Sequence, residues 1–170
     1  TFDDLKALAD QAVTDGITPW CVGFGSDAAT GWPGTDWIED IMLRTAGVDA
    51  YDDWVTNDVK FASDEVKRAF ELAGEMWFTE GYVLGGADQI AAIDFRDAPG
   101  PMFDDGGCLM HRQASFITNF FPEGVVANED YGVFSFPAID QQGALIAGEL
   151  AAVFNDRPEV RAFIENFISE

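Results

Sequence analysis

Gly31-Trp32-Pro33-Gly34-Thr35-Asp36-Trp37-Ile38-Glu39-Asp40 reads as a loop running into a helix. From about Thr35 onward, Trp37, Ile38, Ile41, Met42 and Thr45 recur at helical spacing, and Gly47 stops the pattern. Gly31 and Pro33 place Trp32 ahead of that periodic face, which takes it out of the ordinary core pattern. Indoles and carboxylates gathered at a helix start suit a polyhydroxylated ligand such as a sugar. The flat indole face covers the C–H face of a pyranose, and a neighbouring acid accepts hydrogen bonds from hydroxyls.

Outward from this junction the chain alternates between helix and strand patterns. Phe2, Leu5, Leu8, Ala9 and Ala12 form a helical stripe with Thr1 as its cap and Gly16 as its end. Residues 17–24 form a compact apolar run bounded by Gly16 and Gly25-Ser26-Asp27, the pattern of a buried strand. Downstream, Ser63 caps a second clear helix that carries Val66, Ala69, Phe70, Ala73, Met76 and Trp77 at steps of three and four until Gly81. A shorter helix is expected over 87–93, followed by a break at Pro99-Gly100-Pro101. Strands are expected over 108–111, 131–136, 144–147 and 151–154. A last helix enters at Asp156-Arg157-Pro158 and is expected to bury Val160, Phe163, Ile164, Phe167 and Ile168. This mixture predicts a layered α/β domain, in which ligands meet the loops leaving strand carboxyl ends, here 25–36, 111–116 and 147–151.

Composition narrows the function. With 170 residues, 48% of them hydrophobic, the chain can bury one sizeable core, so a single domain over 1–170 is expected. Nine basic against 31 acidic side chains give a formal charge of −22, which repels phosphate backbones and anionic lipid surfaces, and nucleic acid is not an expected partner. The acids are dispersed among hydrophobic residues, which disfavours disorder. No apolar run approaches the ~18 residues needed to cross a bilayer, and the first residues lack signal-peptide character. Both ends start and stop in helix pattern, as expected of an excised part of a longer protein. Cys21 and Cys108 lack metal-site spacing and only one histidine accompanies them, which excludes a structural zinc site; no ligand spacing among the acidic loops recommends calcium or another ion, and no cofactor is expected. Spacing alone leaves two buried thiols and a disulfide equally open.

Catalytic patterns are weak. Gly23-Phe24-Gly25-Ser26-Asp27-Ala28 fits a loose dinucleotide fingerprint, but Gly31 and Pro33 interrupt the helix that should open there. Ser26 lacks the first glycine of a nucleophile elbow, and His111 is the sole candidate base for any serine or cysteine nucleophile. With 31 acids, carboxylate pairs arise by chance and identify nothing. A glycoside hydrolase fragment stays as the rival to a binding role, and an interaction module with an aromatic patch as a third reading.

Several motifs in order resemble one family. They are Thr1-Phe2-Asp3-Asp4-Leu5, Pro19-Trp20-Cys21-Val22-Gly23 and the long run Ala29-Thr30-Gly31-Trp32-Pro33-Gly34-Thr35-Asp36-Trp37-Ile38-Glu39-Asp40-Ile41-Met42-Leu43-Arg44. Ala98-Pro99-Gly100-Pro101-Met102-Phe103, Cys108-Leu109-Met110-His111-Arg112-Gln113-Ala114-Ser115-Phe116 and the stretch from Gly148-Glu149 to Pro158-Glu159 follow. Together they resemble the extracellular (family 1) solute-binding proteins of carbohydrate ABC importers, the maltose-binding-like group and its α-glucoside type. The resemblance implies an α/β fold of the periplasmic-binding-protein-like type II, with this chain mainly a helix-rich second lobe and interlobe hinge segments near 131–147.

The same resemblance implies noncatalytic capture of an oligosaccharide, with an α-glucoside favoured, by closure of two lobes, and delivery to membrane permease subunits of an importer. An exported monomer is implied, periplasmic or at the cell surface, with Cys21 and Cys108 joined as a disulfide. The sugar would stack on Trp32 and on Phe116, which stands where many relatives carry tryptophan, while Thr30, Asp36, Arg112, Gln113 and Glu149 would supply polar contacts.

Overall fold

The computed structural model describes residues 1–148 and 150–169. Helix α1, Phe2–Thr14, starts in a reciprocal capping box. The Thr1 side chain accepts from the Asp4 amide, and the Asp4 carboxylate receives the Thr1 amino group. Phe2, Leu5, Ala9 and Ala12 are buried, whereas Leu8 lies at the edge of the stripe and is 53% exposed. The chain then enters β1, Thr18–Trp20, which pairs in parallel with β2, Cys108–Met110, placing Thr18 opposite Cys108 and Trp20 opposite Met110.

Between the strands lie α2 (Trp32–Ala46), α3 (Val48–Val55) and α4 (Asp64–Phe78), with α2 packed along α4. Trp37, Ile38, Ile41 and Met42 on α2 face Val66, Ala69, Ala73 and Met76 on α4, and all eight are buried in one core. Trp37 is its centre: its ring meets Trp20, Trp77 and Phe136 nearly edge-on at centroid distances of 5.4, 5.9 and 5.5 Å. Phe70, expected on the inner stripe of α4, is partly exposed and packs against Phe61.

The β structure is smaller than the apolar runs predict. Beyond Trp20, residues 21–25 form no further strand: Cys21 donates to the Met110 carbonyl at 2.8 Å, Phe24 to that of Ile90 at 2.7 Å and Gly25 to that of Ile93 at 2.8 Å. Residues 87–93 form a 3₁₀ turn, Ala87–Gln89, with further turns in place of the expected helix. Residues 131–136, 144–147 and 151–154 form no strand; an isolated bridge joins Ala127 to Tyr131. A run of β-forming residues becomes a strand only where a partner backbone meets it.

Helix α5, Pro158–Phe167, forms as its proline start predicts, but its apolar face is not buried: Phe163 is 64% exposed, and Phe167 and Ile168 are exposed as well. Helix α3 was not legible in the acid-rich stretch after Gly47, which serves both as the end of α2 and the start of α3. No helix is long and apolar enough to cross a membrane among the described residues.

Candidate functional site

Parallel pairing decides where the site lies, because it sets the carboxyl ends of β1 and β2 side by side. The chain leaving β1 runs through 21–31 into α2, and the chain leaving β2 is 111–116, so the two sets of candidate residues open on the same side.

Trp32, expected at the junction of loop and helix, is the first residue of α2, which begins three residues before Thr35. Gly31, at φ 106°, caps the helix in the left-handed region that glycine tolerates. Pro33 sits in the first turn, where its missing N–H leaves no helical bond unmade. The half-exposed indole lies 5.8 Å, centroid to centroid, from Phe116, which is itself 39% exposed and stands in the 3₁₀ turn Ser115–Phe120. Two rings that the sequence reading missed complete the patch. Phe95 stands 5.1 Å from Trp32, and Phe120 stands 5.7 Å from Phe95. Their signal was faint, an aromatic in a turn-rich segment with no periodicity to assign it to a core.

The polar candidates divide by what already holds them. Asp36, one turn after Trp32, is half-buried; burial raises its carboxyl above the usual aspartate range, and the nearby Arg112 charge opposes that rise. Thr30 is committed locally, its Oγ1 accepting from the Ser26 amide at 3.0 Å and donating to the Asp27 carbonyl at 2.9 Å. Arg112 donates from Nη2 to Asp40 Oδ2 at 3.0 Å, and its guanidinium lies 5.6 Å from the Trp37 ring and 5.9 Å from that of Phe136. Asp40 also receives Arg44, whose Nη2 reaches the Phe136 carbonyl at 3.2 Å. Arg112 is thus held in a buried ion cluster beneath the surface. Gln113 accepts the Ala114 amide on Oε1 at 3.1 Å, and its Nε2 is buried without a hydrogen-bond partner among the described residues. Glu149 lies outside the described residues.

His111 donates from Nδ1 to the Cys21 carbonyl at 2.9 Å, and burial holds its pKa below the ordinary value, so the ring is neutral at pH 7. It lines a crevice with Cys21, Val22, Gly23, Phe24, Pro33, Trp37 and Arg112 that is too narrow for a water molecule. Cys21 and Cys108 are joined as a disulfide, with Cα atoms 5.6 Å apart, which ties the exit of β1 to the start of β2. Among the described residues no group of three His, Cys, Asp or Glu side chains is placed to hold a cation.

No family model and no solved structure matches the chain. Three curated proteins do. The alpha-glucosides-binding periplasmic protein AglE of Rhizobium meliloti (strain 1021) is 46% identical over 173 residues, covering 97% of this chain and 37% of that protein. The osmoprotective compounds-binding protein GgtB of Synechocystis sp. (strain ATCC 27184 / PCC 6803 / Kazusa) is 39% identical over 165 residues, covering 95% and 39%. PH1214, an uncharacterized ABC transporter extracellular-binding protein of Pyrococcus horikoshii (strain ATCC 700860 / DSM 12428 / JCM 9974 / NBRC 100139 / OT-3), is 26% identical, covering 81% and 29%.

The chain is a homologue of the extracellular solute-binding proteins of ABC transporters. It spans less than two-fifths of the length of each of these solute-binding relatives, and within that span the aromatic patch and its acidic neighbours lie together at one end of the strand pair.

Proposed function

We propose that this chain is mainly the second lobe of a noncatalytic oligosaccharide-binding protein of periplasmic-binding-protein-like type II architecture, with residues 131–147 contributing hinge segments. The single observation that carries the reading is the half-exposed ring patch of Trp32, Phe95 and Phe116 at the amino end of α2. Identity of 46% to a protein named for α-glucosides supports that ligand class. A sugar laid on these rings would find Asp36 as an acceptor, and Gln113 would reach it only by turning its buried Nε2 outward. Arg112, bound to Asp40, would hold the underlying scaffold and offer what remains of its donor fork.

An opposing lobe would close over the ligand and exclude water, so that sugar selects the closed form, and permease subunits in the membrane would recognise that form. The protein would act as a monomer in the periplasm or at the cell surface. Calorimetric titration of the complete two-lobed protein with maltose, maltotriose and cellobiose tests the reading. Binding of the α-linked sugars is expected, and Trp32→Ala should weaken it roughly tenfold, the upper range of an aromatic contact. No heat with any of the three sugars, or release of reducing sugar by the wild-type protein, would overturn it.

A further inference from the structure

We infer that Phe95 is a positioning residue that sets the ring planes of Trp32 and Phe116, an inference that rests on their surface being the sugar platform. Phe95 is the hub of the patch. Its ring stands edge-on to Trp32 (5.1 Å, 71°), to Phe116 (6.2 Å, 77°) and to Phe120 (5.7 Å, 79°). Trp32 and Phe116 also meet directly, tilted by 38°, so each of the two candidate stacking rings is braced by the other and by Phe95.

Phe95 is itself braced. Its amide donates to the Gly25 carbonyl at 2.9 Å, which anchors it to the chain leaving β1. The Arg96 guanidinium lies 5.5 Å from the Phe95 centroid and is gripped by Asp94 through two bonds of 2.7 Å. None of the four rings belongs to the main core, so the arrangement contributes to the surface and not to the packing of α2 on α4.

The physical consequence concerns entropy and orientation. An indole at a helix start rotates about two side-chain torsions, and stacking on a sugar requires one orientation of its plane. Edge-on contact with the Phe95 π-system selects that orientation before ligand arrives, and binding then loses less freedom. A leucine fills similar space but has neither a flat face nor a quadrupole, so it cannot set a ring plane.

The test uses the complete protein titrated with maltose and maltotriose, with Phe95→Ala, Phe95→Leu, Phe95→Tyr and Trp32→Ala compared alongside thermal unfolding. Phe95→Ala and Phe95→Leu should bind roughly three- to tenfold more weakly, while Phe95→Tyr stays near wild type and Phe95→Leu keeps an unfolding midpoint close to it. Full affinity in Phe95→Leu would reduce Phe95 to a filler, and loss in Phe95→Tyr equal to that in Phe95→Ala would deny the aromatic role; either overturns the inference. Weakened binding in Trp32→Ala with unchanged binding in both Phe95→Ala and Phe95→Leu sinks Phe95 alone. No wild-type binding of either sugar, or an unchanged affinity in Trp32→Ala, sinks the platform and Phe95 with it.

Discussion

Removing the Asp40 carboxylate should destabilise this protein more than removing any other acid whose ion pair is seen in the structure. Asp40 is 4% exposed and holds two cations at once, Arg44 on one oxygen and Arg112 Nη2 at 3.0 Å on the other. The Arg44 side chain is 4% exposed and that of Arg112 15%, so Asp40→Ala strands two largely desolvated guanidiniums next to each other. Breaking a buried pair by removing one partner costs about 3–5 kcal/mol, because the remaining charge has no water to turn to. Arg44 keeps the Phe136 carbonyl and Arg112 keeps the Trp37 and Phe136 ring faces, which argues for the lower half of that range. For a chain of this size 3–4 kcal/mol corresponds to a fall of roughly 6–16 °C in the unfolding midpoint.

Far-UV circular dichroism during heating and in urea measures it, with Asp140→Ala as the internal comparison. Asp140 forms a two-bond pair with Arg68, but both side chains are about half exposed, and such pairs contribute roughly 0–1 kcal/mol. An Asp40→Ala loss no larger than that of Asp140→Ala would refute the assignment of the cluster as a buried, mutually dependent unit.

Three further outcomes are expected. Sugar affinity should fall on acidification at a pH above the ordinary aspartate range, because burial raises the Asp36 pKa and the neutral acid accepts hydroxyls poorly; titration calorimetry across pH with Asp36→Asn should show that dependence removed. Tyr51 and Tyr82 are pushed up to about 12, first by burial and then by bonds to Glu39 and Asp10. Their folded pKa lies above the unfolded value near 10, so the stability they contribute is complete below about pH 10 and lost towards 12; ultraviolet titration and alkaline unfolding of Tyr82→Phe check the sign. Gly23→Ala should destabilise by about 1–3 kcal/mol, since its methyl would meet Ala98 Cβ, Ile93 Cγ2 and the Ile93 carbonyl at 2.8 Å each, measured by urea unfolding.

Local patterns were legible where the physics is local. The helices after Thr1 and Ser63 announce themselves through a cap and a stripe of three- and four-residue steps, and the chain needs nothing distant to form them. The limits of the strand within 17–24 were not legible, because its backbone bonds go to distant segments that no window of sequence displays: Trp20 to Tyr82 and Leu84, Cys21 to Met110 and Phe24 to Ile90. The apolar stripe of α5 was read correctly as a stripe and wrongly as buried, since periodicity states which face is apolar and not whether anything lies against it.

The sequence by itself determined helices α1, α2, α4 and α5, the strong acidity and the aromatic-rich motif at the entry of α2, because caps, periodicity and charge are properties of neighbouring residues. Only the tertiary structure decided that Arg112 is bound to Asp40, 72 residues away, and that Phe95 and Phe120 join Trp32 and Phe116 on one surface. Those outcomes depend on the parallel pairing of β1 with β2, which brings the two strand exits together, and pairing between distant backbones is fixed by the packing of the whole core.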